Sequence, residues 1–171
     1  METRDYFDAM VAGAVGAILM TIIGVFFGTV GLAKGPEASW ALLLGLGTGT
    51  IAWWLGFLVH VILGAVVAIG YLWVFELVYR FVDHWFVGML VGIVHAAILG
   101  FFLVLSPRVR PVLFGVQEGA GFEPSMPAVV IWLALHIIFG LTVWTLLEDV
   151  EGHRRVHRYL PPDFERRGSL G

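Results

Sequence analysis

Residues 56–70 read GFLVHVILGAVVAIG, apolar from end to end except for one histidine, His60. A helix with no polar face belongs inside a large core or a membrane. In lipid the imidazole, with one donor and one acceptor when neutral, must find partners within the protein. The pattern recurs twice, in GIVHAAILG around His95 and LALHIIFG around His136.

Outward from these stretches the whole chain has the same character. Of its 171 residues 59 % are hydrophobic and 13 % charged, far from the balance of a soluble domain. A bilayer core about 30 Å thick takes roughly 20 apolar residues at 1.5 Å rise each. Four runs meet that length, approximately 9–31, 51–75, 86–105 and 128–147. No basic segment precedes the first, which follows METRDYFDAM and is too long for a signal-peptide core, so it is expected to remain as a span. The expectation is an all-α integral membrane four-helix bundle over 1–150, with a basic tail at 151–171. Its surroundings are the lipid bilayer, and nothing in the chain points to nucleic acid.

Four spans put both termini on one face. Arg4, Arg80, Arg154, Arg155, Arg158, Arg166 and Arg167 fall on that side and Lys34, Arg108 and Arg110 on the other, which places the termini in the cytoplasm by the positive-inside rule. With no cysteine, disulfides, thiolate metal sites and thiol nucleophiles are excluded.

The apolar stretch from Trp40 to Phe75 is too long for one helix and is broken by Gly45, Gly47, Thr48, Gly49 and Thr50. A short interfacial or re-entrant piece is expected at 37–47, capped by GPEAS, before the second span. Trp40, Trp53, Trp54, Tyr71, Trp73, Tyr79, Trp85, Trp132 and Trp144 lie near the expected span ends, as in an aromatic belt. Asp83 is placed to cap the third span, and Glu76 and Arg80 share a helical face. The loop SPRVRPVLFGVQEGAGFEPSMP, 106–127, is barred from helix by its four prolines, and its acids Glu118 and Glu123 are too few for a cation site. The tail is expected to begin helical, to stop at Pro161-Pro162 and to lay its arginines on anionic headgroups. Asp149, His153 and His157 share a face there, a weak metal-site signal that a solvated or headgroup-facing helix end, with Arg154, Arg155 and Arg158 interleaved, explains better; His84, beside Trp85, is an interface residue.

An ungapped offset of 76 residues lays the chain on itself. Gly16 then falls on Gly92, Gly24 on Gly100, Phe26 on Phe102, His60 on His136 and Gly64 on Gly140. This predicts a duplicated two-helix hairpin, its copies related by a pseudo-two-fold axis along the membrane normal. His95 falls on Leu19 and breaks the symmetry.

Glycines mark the packing faces. Gly56, His60, Gly64 and Ala68 step by four along the second span; His136 and Gly140 do so in the fourth; Gly88, Gly92, His95, Ala96 and Gly100 share a face in the third. Small stripes are where membrane helices meet, so all three histidines are expected to face the interior, at one depth. No acidic residue lies inside a span, so neutral rings are expected.

Four uses of the rings compete. They hydrogen-bond across helices, to each other or to Thr21 or Thr142, and fix packing. They contact a cofactor, with His60 and His136 as axial ligands of a b-type haem, or one ring on a chlorin magnesium or a metal. They line a proton or solute path, a reading weakened by the missing intramembrane acids. Enzymatic chemistry has no support: HExxH, GxSxG and P-loop motifs are absent, as are paired carboxylates in a span.

The His-xxx-Gly second span, the Gly-rich third span with central His, the loop GAGFEP and the final His-xxx-Gly span together resemble a family of small four-helix membrane proteins of bacteria and archaea, classed as a domain of unknown function. The resemblance implies a compact four-span fold in a prokaryotic cytoplasmic membrane, with His60, His95 and His136 as shared signature, and implies no activity. The expected role is a non-enzymatic accessory or assembly subunit, docking on other membrane subunits or on itself through the first span, GAVGAILMTIIGVFFG.

Overall fold

The computed structural model describes residues 3–30, 37, 40–41, 44–46, 49–79, 85–105 and 126–159, without the side chains of 79, 103–105 and 149–159. Four helices account for nearly all of it: α1 (Thr3–Thr29), α2 (Thr50–Tyr79), α3 (Phe86–Leu105) and α4 (Met126–Tyr159). Apolar chain that must satisfy its backbone internally has helix as its local solution. The hydroxyls inside these helices follow the same rule: Thr142 Oγ1 donates to the Ile138 carbonyl at 2.8 Å and Thr145 Oγ1 to the Leu141 carbonyl at 2.9 Å.

By length and composition three helices can cross a membrane: Thr3–Thr29, Thr50–Val78 and Met126–Glu148. The apolar part of α3, Phe86–Phe102, is shorter than these. α4 continues without a break past residue 150 to Tyr159, so the start of the tail is an extension of the last helix.

α1 packs along α2, α3 along α4, and α1 along α4, while α2 and α3 barely touch. The bundle is therefore closed on the α1/α4 side and loosely joined on the α2/α3 side. The closest approaches in the two hairpins fall at glycines. A Cβ on Gly140 would collide with the Gly88 carbonyl, and one on Gly64 would lie 2.7 Å from the Ala17 Cβ and 2.9 Å from the Gly13 carbonyl oxygen. Gly92 sits against the His136 carbonyl in the same way. Gly16 faces the Phe139 ring, with a Cβ there only 2.8 Å from Cδ2, and Gly24 is also buried. Gly100 is open by comparison, meeting Trp132 Nε1 at 3.6 Å.

The α1 glycines are thus spent inside the bundle. The outer face of α1 carries Phe7, Ile22 and Phe26, each more than 60 % exposed. Gly13 and Gly16 serve as contact points for Gly64 and Phe139, so of the small and aromatic surfaces expected on the first span it is the aromatic one, at Phe26, that faces outward.

Phe139 is the hub of the core. It is 2 % exposed, lies on Gly16 and Gly64, and meets Tyr71 and His95 edge-on at centroid distances of 5.4 and 5.8 Å. Below it Phe75 and Trp144 pack edge to face at 4.8 Å. Tyr71 and Trp144 are therefore core residues, 5 % and 2 % exposed, and not members of an aromatic belt; Trp54, Trp73 and Trp85 are exposed, as a belt requires. Between α1 and α2, Glu37, Trp40 and Ala41 have helical backbones. Leu44 N–H bonds the Trp40 carbonyl and Leu46 N–H the Ala41 carbonyl, with Gly45 at φ +73°, a helix stop that needs the left-handed conformation glycine supplies. Asp83, His84, Arg80, the loop acids Glu118 and Glu123, and GPEAS apart from Glu37 lie outside the described residues, as do Lys34, Arg108 and Arg110.

Candidate functional site

The three spans that carry histidine bring their rings into one neighbourhood. His136, on α4, is 3 % exposed, and His60, on α2, 8 % exposed; His95, on α3, is half-buried, as its place beside the loose α2/α3 seam requires. The His95 and His136 rings touch edge to face, 5.0 Å between centroids and 86° between planes. His60 is near enough that a charge on it would be felt at both other rings.

Each Nδ1 has a partner. Thr21 Oγ1 of α1 and His60 Nδ1 are 3.0 Å apart, and Tyr71 Oη of α2 and His95 Nδ1 are 2.9 Å apart, so two of the bonds cross between helices. His136 Nδ1 lies 2.8 Å from the carbonyl of Trp132, one turn earlier in its own helix. A carbonyl only accepts, so Nδ1 of this ring carries the proton and Nε2 of the neutral form is a bare acceptor. Trp132 in turn donates Nε1–H to the Ala96 carbonyl of α3 at 3.2 Å and lies over the His136 ring at 4.2 Å. Thr142, the other hydroxyl considered for the histidines, is occupied by its own helix.

The Nε2 atoms are different. None of the three hydrogen-bonds to a described residue. Among the described residues the one fully enclosed side-chain nitrogen or oxygen without a partner is Glu37 Oε2, so the three Nε2 atoms are not sealed in.

Direct contact between His95 and His136 leaves no gap for a planar macrocycle between that pair. A carbonyl-bound Nδ1 is what a metal-ligating histidine has behind it, and His136 meets that condition. Among the described residues no three of His, Cys, Asp and Glu converge to hold a metal ion. The side chains of Asp149, His153 and His157 lie outside those described.

Two members of the cluster had a sequence signal that placed them elsewhere. Tyr71 continues the stripe Gly56, His60, Gly64, Ala68 by a further three residues, and Trp132 stands four before His136. Both are helical neighbours of a histidine, yet aromatic rings near a span end also match the belt pattern. Glu37 had no signal, since its partner Trp53 is 16 residues away across a break in the helix.

No family model matches the chain, and no curated protein or solved structure shows significant similarity to it.

Proposed function

We propose that the protein is a non-enzymatic multi-pass membrane protein whose working part is the interior histidine cluster, where it passes protons or a small hydrogen-bonding solute. One observation carries this reading: every Nδ1 is held by Thr21, Tyr71 or the Trp132 carbonyl, and every Nε2 is left without a bond to the described protein.

Magnitudes argue against packing as the main purpose of the rings. An interhelical hydrogen bond in a membrane protein is worth about 0.6 kcal/mol, whereas one overpacked methyl in a tight core costs about 1–3 kcal/mol. The glycine crossings therefore hold the hairpins, and the two interhelical histidine bonds orient rings. Nε2 atoms that the described protein leaves unbonded can take water as partner, and water would carry a proton between the His95 and His136 rings, which touch edge to face. The thin α2/α3 seam beside half-buried His95 is the natural entry.

The four-span topology with cytoplasmic termini, and the duplication of a hairpin, belong to the same proposal. Supporting the duplication, Gly64 and its repeat mate Gly140 both mark the crossing of their hairpin. The α1/α4 and α2/α3 interfaces, which the symmetry would relate, are unequal.

The test is proton flux in liposomes containing the purified protein and an internal pH dye, under an imposed potassium diffusion potential. Flux is expected in the wild type and lost in His95→Ala and His136→Ala, with the variants still folded. Folded variants that match the wild type would overturn the reading. A wild type that passes no protons but co-purifies with a defined membrane partner would favour the assembly-subunit role instead.

A further inference from the structure

A buried carboxyl stands at the loop end of α2. Glu37 is 4 % exposed, and its Oε1 accepts a hydrogen bond of 3.1 Å from Trp53 Nε1. Its Oε2 is fully enclosed and has no partner. Enclosing a carboxylate oxygen without a hydrogen bond is costly, and the cost falls when the group takes up a proton.

The placement of Glu37 ties it to the histidines. Its backbone carbonyl rests on Gly56, so closely that a Cβ there would collide with it, and Ala41 N would lie 3.0 Å from that same Cβ. Trp53, Gly56, His60 and Gly64 are spaced three, four and four apart and so share one face of α2. The backbone of Glu37 is therefore seated on the face that bears His60, one turn from it, while its carboxyl is bonded at Trp53, two turns or about 10 Å along the helix from His60.

We infer that Glu37 is a proton-binding site at the loop end of α2, on the helix face that carries His60, the carboxyl that the membrane spans themselves lack. The proton adds to Oε2 from water at the loop end of α2 and returns to water when the carboxyl ionises, with no change in any other bond. Among the described residues the Glu37 backbone N–H and the Trp53 indole are the polar groups that face the carboxyl, and no charged side chain does. Burial pushes the Glu37 carboxyl above the ordinary carboxylate range, and the interactions with its own backbone N–H and with Trp53 oppose that shift without cancelling it. The binding site does not rest on the function proposed above.

Infrared titration of the full-length protein in lipid tests it. A protonated carboxyl absorbs apart from the amide bands and shifts in heavy water. The expected band persists above the ordinary glutamate value of about 4.3 and is missing in Glu37→Gln. Trp53→Phe, which keeps the carboxyl and removes the donor that favours its anion, is the second variant, for the case that Glu37→Gln does not fold. Its band should persist to a higher pH than that of the wild type. A Glu37 that ionises at the ordinary value, or a midpoint unmoved by Trp53→Phe, would overturn the assignment. Liposome flux keeps the two readings apart. A raised Glu37 titration in a protein that passes no protons would leave this site standing and remove the conduction reading; flux with an ordinary Glu37 would do the reverse.

Discussion

His136 shows how one acceptor decides the state of a side chain. Because the Trp132 carbonyl can only accept, the ring must hold its proton on Nδ1, and Nε2 of the neutral ring is an acceptor. Nitrogen NMR of the labelled ring in lipid should show a protonated Nδ1 and a bare Nε2; the opposite tautomer would mean that the carbonyl bond is not made. Thr21→Val, which deletes the partner of His60 Nδ1, should cost only about 0.6 kcal/mol in unfolding measured in mixed micelles. Glu37 gives stability a pH dependence of unusual sign. Its carboxyl gives up a proton more readily when unfolded than when folded, so the fold carries no penalty below the ordinary carboxylate range. Stability then falls as pH rises through that range toward the raised folded value, and stays lower above it. Melting temperature against pH should show this slope in the wild type and a flatter one in Glu37→Gln. The three histidines were legible in the sequence because a titratable ring in an apolar run has few places to go. Tyr71 was misplaced because a tyrosine three turns from His60 fits a belt and a core equally, and only the neighbour on α3 decides between them.

At the level of the helix, glycine carries the information. The stripes Gly56, Gly64 and Gly88, Gly92 were visible as spacing, and each of these residues does meet a neighbouring backbone. Spacing could not show which neighbour. Gly56 looks like a helix contact and is in fact the seat of the segment around Glu37, while Gly70, as apolar in its context, has nothing within 4 Å of its would-be Cβ. The two kinds of glycine should therefore respond oppositely to the same change. Gly140→Ala drives a methyl into the Gly88 carbonyl and should destabilise the α3/α4 hairpin by about 1–3 kcal/mol. Gly70→Ala meets open space and gains the helix preference of alanine, about 0.5–1 kcal/mol in the other direction. Unfolding of both variants in one detergent mixture compares them directly, and equal losses would mean that the crossing at Gly140 is looser than drawn here.

For the whole molecule the decisive property is the inequality of its two seams. Composition and run length gave an all-α membrane fold, because lipid leaves an apolar chain few other structures. They did not give the seams, since helices that are apolar all round have no preferred side in the sequence, and the choice falls to a few interlocking side chains. Phe139 makes that choice here: by lying on Gly16 it closes α4 against α1, and by ending at Tyr71 and His95 it leaves α2 and α3 joined chiefly through a polar contact. A contact between a phenol and an imidazole is weak in energy and responsive to protonation. The chain has no cysteine, so spin labels can be placed without a background. Labels at Val66 and Val94, exposed on α2 and α3, should give a broader distance distribution than labels at Val15 and Leu133, exposed on α1 and α4. Tyr71→Phe, which removes the hydroxyl that meets His95, should broaden the α2/α3 distribution further and leave the α1/α4 distribution unchanged. Equal widths for the two seams would mean that the bundle is closed all round, and a closed bundle would offer the three Nε2 atoms to nothing outside it.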